Sequence, residues 1–173
     1  MSSEPRKQPY RLGIITSSDT RAGKTHEDES GQLIKEIASK KGYHTESHIV
    51  LPDEQNLLEE EMKRLCDEKK VDLILTTGGT GFSPRDIMPE ATMNITERAV
   101  PGIPEALRQY SMTITKRAML SRGTAGIRGK TLIINLPGSP KAVKEQLEYL
   151  LDEALEHGLS ILNGQDSQCA VKN

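Results

Sequence analysis

Residues 71–77, VDLILTT, form a near-continuous apolar run that ends in three glycines within four positions, GGTG at 78–81. A strand apolar at almost every position must be covered on both faces, as in parallel sheets whose crossover helices lie on either side. That requirement restricts the chain to an α/β architecture, and the remaining segments fit it. RLGIITSS (11–18), YHTESHIVL (43–51) and KTLIINL (130–136) read as further strands. Helical patterns separate them. SGQLIKEIASKKG (30–42) puts Leu33, Ile34, Ile37 and Ala38 on one face and stops at Gly42, and residues 53–70 align Leu58, Met62 and Leu65. Residues 89–115 read as mostly helical with a break around Pro101–Pro104. The segment after Pro137 carries one stripe of Val143, Leu147, Leu150, Leu151 and Ala154, and GTAGIRGK (123–130) reads as a hairpin or a turn. The alternation predicts a three-layer α/β/α domain with a mostly parallel sheet over 11–163, flanked by loose segments at 1–10 and 164–173.

Composition narrows the function classes. The 173 residues fit one domain, and a formal net charge of -2 gives no bulk attraction to nucleic acid or membrane. With no Trp and one Phe, Phe82, there is no base-stacking platform. Cys66 and Cys169 are far apart and form no metal-ligand spacing, which fits a reducing cytosol. The polar start, MSSEPRKQPY, contains neither a signal core nor a membrane span. The four histidines form no helical i, i+4 pair, and His44 and His48 read as ordinary polar strand positions.

Ligands of open α/β sheets bind beyond the carboxyl ends of the strands. The residues just past each strand end are therefore the informative ones. Ser18-Asp19-Thr20 comes after the first, in a polar stretch with Lys24, Asp28 and Ser30. Pro52-Asp53 comes after the second, GGTG and then Asp86 after the third, and Pro137-Gly138-Ser139 after the fourth. Parallel strands would bring all four together. Gly78, Gly79 and Gly81 let main-chain N–H groups approach an anion, with Thr76, Thr77 and Thr80 adding hydroxyls. A sharp strand-to-loop turn explains the same glycines equally well. Asp53 and Asp86 each fit a helix N-cap, Asp86 through the box Ser83-x-x-Asp86. As a pair beside a glycine loop they also fit Mg²⁺ held on a phosphate chain. Ser139-Pro140 reads as N-cap and first turn of the last helix, a natural anion site. Ser121-Arg122 reads as solvated surface or a second anion contact. Neither a Walker loop nor a serine-hydrolase elbow is present.

TTGGTG (76–81) followed by SPRDIMPEAT (83–92) resembles the molybdopterin adenylyltransferase family, the MogA/MoaB proteins and the gephyrin G domain. The likeness continues through SDT (18–20), LPDEQ (51–55), AVPGIPEALR (99–108) and MLSRGTAGIRGKTLIINLPGSPKAV (119–143), and so covers nearly all of residues 11–162. It implies a MoCF-type fold and an enzyme of molybdenum cofactor biosynthesis, a nucleotidyltransferase that moves AMP from MgATP to molybdopterin and releases pyrophosphate. It further implies a cytoplasmic homotrimer or homohexamer that passes its product to a molybdenum insertase. Carried onto this chain, Asp53 and Asp86 become the catalytic, Mg²⁺-handling pair. Gly78, Gly79, Thr80 and Gly81 grip phosphate, Ser18 and Thr77 join them as binding residues, Ser121 meets the pterin side, and Gly138 and Ser139 help form the nucleotide pocket. The other readings are a longer insertase-type chain, a CinA-like nucleotide-processing enzyme, and a non-catalytic molybdopterin-binding scaffold. Retention of both aspartates favours the enzyme.

Overall fold

The computed structural model describes residues 8–23 and 26–165. The apolar run becomes a strand, Leu73–Thr77, buried at every position. It is β3 of a six-stranded sheet whose other strands are β1 (Arg11–Ser17), β2 (His44–Leu51), β4 (Arg98–Ala99), β5 (Ala125–Arg128) and β6 (Thr131–Leu136). The strand order is β2-β1-β3-β6-β5-β4. The first four strands of that order are mutually parallel, and β5 and β4 extend the sheet in antiparallel fashion. The carboxyl ends of β1, β2, β3 and β6 therefore point the same way, as the sequence implied. GTAGIRGK resolves into the β5–β6 hairpin.

Two apolar cores lie on opposite faces, because successive strand residues point to opposite sides. Leu73 and Leu75 of β3 face helices α2 (Glu29–Lys40), α5 (Gly102–Met112), α6 (Pro140–Leu150) and α7 (Glu153–Leu162). Ile74 faces α3 (Gln55–Lys63) and α4 (Met88–Ile95). A four-residue helix, α1 (Asp19–Ala22), follows β1.

Two helical expectations are corrected. The helix predicted over 53–70 is α-helical only to Lys63 and then widens into a π-turn, Arg64–Glu68, with the Lys69 N–H donating to the Arg64 carbonyl at 3.0 Å. The wider turn buries Leu65 and Cys66 together. A Cβ on Gly13 would stand 2.8 Å from Leu65 Cδ1, so the bare glycine in β1 is what admits Leu65. The stripe after Pro137 is two helices, since the Asp152 carboxylate accepts the N–H groups of Ala154 and Leu155 and starts α7 anew. The break expected around Pro101–Pro104 lies just before it, over 96–101, and contains β4, while Gly102 to Pro104 already form the first turn of α5. Lys24, Cys169 and most of the flanking segments 1–10 and 164–173 lie outside the described residues. Among the described residues, no helix is long and apolar enough to cross a membrane.

Candidate active site

The glycine loop leaves β3 under tight constraint. Gly78 and Gly79 have φ of +89° and +69°, values that favour glycine. A Cβ on Gly78 would also collide with the Ser17 carbonyl of the neighbouring strand. A Cβ on Gly79 would touch Met88 at 3.3 Å and Asp53 Oδ1 at 3.6 Å, and one on Gly81 would come within 2.8 Å of Asp86 Oδ2. On the remaining side, Gly138 approaches closely enough that its Cβ would lie 3.4 Å from the Gly78 Cα. The loop is thus threaded between two carboxylates and the end of β6, with no room for a side chain at Gly78 or Gly81.

Asp53 does not cap a helix. The residue at the N-cap of α3 is Glu54, which makes no capping bond with its side chain. The Asp53 carboxylate instead accepts the Ser17 hydroxyl at 2.5 Å and the Asp19 N–H at 3.1 Å, while the Asp53 N–H donates to Asp19 Oδ1 at 2.9 Å. The ends of β1 and β2 are thereby laced together. The Arg85 guanidinium then donates to both Asp19 oxygens, at 3.0 and 2.9 Å, and to Glu54 at 3.0 Å. The hydrogen bonds from Arg85 and from the Asp53 amide hold the Asp19 carboxyl below the usual range.

Asp86 keeps half of its predicted capping role. Its carboxylate accepts the Ser83 N–H at 2.9 Å, and the Ser83 hydroxyl accepts the Arg85 N–H at 3.3 Å. The box closes one turn over 83–86, and α4 begins only at Met88. The turn fixes the carboxylate against Gly81, at the opposite end of the loop from Asp53.

The other predicted residues gather here with distinct roles. Thr77 donates its hydroxyl to the Pro137 carbonyl at 2.6 Å, and Thr76 is wholly buried against Asn135. These two hydroxyls hold strand ends together. The Thr80 carbonyl accepts the Arg122 N–H at 2.8 Å, which draws the Ser121 segment to the loop. The Ser121 hydroxyl accepts the Gly123 N–H at 3.3 Å. Ser18 caps α1, and Ser139 caps α6 with Pro140 in its first turn. The Ser30 hydroxyl donates to the Gly138 carbonyl at 2.8 Å and tethers the start of α2 to the same rim.

Sequence reasoning placed Asp19 at a strand end without giving it a role, and missed Ser17 and Arg85 as site members. Each stands next to or near a residue it did select, at a strand end or within the loop, so strand termini read in full would have included them. It also missed a pairing behind the site. His48, taken as an ordinary polar position, meets Asp28 Oδ2 at 2.7 Å, and the same carboxylate accepts the Thr16 hydroxyl at 2.8 Å and the Gly31 N–H at 2.9 Å.

The family model described as "Probable molybdopterin binding domain" (MoCF_biosynth) matches residues 13–157, which contain every one of these loops. The chain belongs to this MoCF_biosynth family. A curated relative, the molybdopterin adenylyltransferase of Helicobacter pylori, is 39% identical over 171 residues, covering 96% of this chain and 95% of that protein. The crystal structure of the molybdopterin biosynthesis enzyme MoaB from Thermus thermophilus superposes with a TM-score of 0.84 at 41% identity, over 90% of this chain and 97% of that one. The tungsten cofactor synthesizing protein MoaB from Pyrococcus furiosus gives 0.82 at 32% identity, over 92% and 99%. The MoCF fold expected from the sequence is therefore the fold found, and the candidate residues gather where its four parallel strands end.

Proposed function

We propose that residues 11–163 form one catalytic unit, a molybdopterin adenylyltransferase of molybdenum cofactor biosynthesis. In this reading a terminal phosphate oxygen of molybdopterin attacks the α-phosphorus of ATP. The new P–O bond forms as the bond to the β-phosphate breaks, and pyrophosphate leaves. The observation that carries the reading is the placement of two half-buried carboxylates, Asp53 and Asp86, at either end of a loop with glycine at three of its four positions. The likeness to curated adenylyltransferases supports it along the full length of the chain.

Both reactants are anionic, so the protein's task is to neutralise charge and align two groups, without a nucleophile of its own. Gly78, Gly79, Thr80 and Gly81 offer main-chain N–H groups to phosphate oxygens, and the N-terminus of α6 beyond Gly138 and Ser139 offers more. Ser18 contributes at the end of β1, Thr77 by holding the loop's root, and Ser121 on the pterin side. Asp53 and Asp86 supply hard carboxylate oxygens beside this cradle, a donor set that fits Mg²⁺, which takes few carboxylates and completes its shell with phosphate and water. Mg²⁺ bound there would screen the polyphosphate charge. Its product would pass to a molybdenum insertase, and the chain would work as a homotrimer or homohexamer.

Incubation with MgATP and molybdopterin should release pyrophosphate and yield adenylylated molybdopterin. Asp86→Ala should lower turnover by about 100-fold or more, the order seen when a transition-state charge stabiliser is removed. Tight molybdopterin binding without pyrophosphate release by the wild type would point to the scaffold reading instead, and full turnover by Asp86→Ala would remove Asp86 from the mechanism.

A further inference from the structure

Arg122 sits in the segment between a 3-10 turn, Lys116–Leu120, and β5, outside the loop it serves. From sequence it read as solvated or as a contact for a substrate anion. Its donors are turned toward the protein instead. The Nε–H donates to the Gly81 carbonyl at 2.7 Å, and Nη2–H to the Asp86 carbonyl at 2.6 Å. The Nη1–H donates to the Glu90 carboxylate on the first turn of α4, and the Arg122 main-chain N–H to the Thr80 carbonyl at 2.8 Å. The guanidinium therefore spans the turn 81–86 from one end to the other and ties it to α4. A planar fork with donors at fixed angles can do this, whereas an ammonium, as a point charge, cannot span both carbonyls.

We propose that Arg122 is a positioning residue for the adenylyl transfer: it fixes the turn 81–86, and through it the Asp86 carboxylate, relative to the glycine loop, without touching either substrate. The proposal rests on the functional reading above. Three features support it. The Arg122 side chain is only one-third exposed. Its acceptors include the carbonyl of Asp86 itself. Glu90, its carboxylate partner, is held below the usual carboxylate range mainly by the Arg122 hydrogen bond, so the anchor stays charged. Reacting groups displaced by about 1 Å lose about 100-fold in rate, so a loose turn would act on turnover more than on binding.

The test compares wild type, Arg122→Ala, Arg122→Lys and Glu90→Gln in two measurements. The first is pyrophosphate release from MgATP and molybdopterin, with kcat and KM resolved. The second is amide hydrogen exchange of the free protein. Arg122→Ala should lower kcat about 100-fold while leaving both KM values within about threefold. Arg122→Lys should recover little, and millimolar methylguanidinium should restore part of the lost rate to Arg122→Ala. Exchange should quicken at 80–86 in both Arg122 variants, and less in Glu90→Gln, while residues 73–77 stay protected. A raised KM with unchanged kcat would make Arg122 a substrate contact and overturn the proposal, as would unchanged exchange at 80–86. Should Arg122→Ala fail to fold, Arg122→Lys and Glu90→Gln carry both measurements. A wild type that releases no pyrophosphate would refute the functional reading alone, since the exchange measurement still decides whether Arg122 fixes the turn.

Discussion

Asp28 shows how one partly buried carboxylate can organise a rim. Burial alone would raise its pKa, but hydrogen bonds from His48, the Gly31 N–H and the Thr16 hydroxyl outweigh that penalty and hold it below its ordinary 3.8. The sign comes from linkage. A carboxylate more acidic in the folded state contributes stability that is fully present above the unfolded pKa and is lost as pH falls through the folded one. Asp28→Asn should therefore flatten the acid limb of stability, and the gap in urea midpoint between wild type and variant should shrink between about pH 5 and pH 3. A gap that stays constant over that range would show that Asp28 does not titrate with folding. Gly31 stands inside the same cluster, where an added Cβ would collide with Asp28, His48 and Thr16. Gly31→Ala should cost about 1–3 kcal/mol, the usual penalty of overpacking, read from urea denaturation. None of this was legible beforehand, because His48 and Asp28 lie on different elements and carry no spacing signal. Asp53 taught the opposite lesson. Its position after a strand was legible, but the local rule made it a cap, and the hydroxyl and amide that claim its carboxylate belong to another strand end.

Asn135 is the polar exception in the apolar run of β6, and it joins elements that only the fold brings together. Its Nδ2 donates to the hydroxyls of Thr76 on β3 and Thr92 on α4, at 3.0 and 2.9 Å, and its Oδ1 accepts the Thr124 N–H at 3.2 Å. The side chains of Asn135, Thr76 and Thr92 are all buried. Asn135→Leu should destabilise by about 2–3 kcal/mol, because it leaves the Thr124 N–H and two buried hydroxyls short of partners, and calorimetric unfolding would measure it. A variant as stable as wild type would mean that these groups find other partners. The element pattern itself was readable wherever one rule acted alone: double-faced burial for β3 and β6, and 3.6-residue periodicity for α2. It failed where a tertiary demand overrode periodicity, as when Leu65 needed the space over Gly13 and the helix widened to reach it. β4 has two exposed residues and no pattern at all, and its existence depends on β5 being there to pair with it.

Across the whole molecule, the ends of β1 and β2 and the loop after β3 are coupled through Arg85, Asp19, Asp53 and Glu54. The ion pairs are exposed and open to salt screening. Arg85→Ala should accordingly leave the urea midpoint nearly unchanged and lower turnover by loosening the loop ends. A large stability loss would mean that this coupling holds the fold rather than the site. The gathering of the candidate residues was legible because four strand ends recur in order along the chain, three of them marked by glycine or proline, whereas the arginines that brace them bond to carbonyls and carboxylates distant in sequence. The strand order adds a consequence of its own. After β1 the chain departs to α2 on one face of the sheet, and after β3 it departs to α4 on the other. The loops leaving these two adjacent strands therefore diverge to opposite faces from tips that still touch, Gly78 lying against the Ser17 carbonyl, at a topological switch point. The divergence is a product of connectivity. Substitutions along the two loops change what they can hold, while bringing the loops onto one face would take a different wiring of the chain.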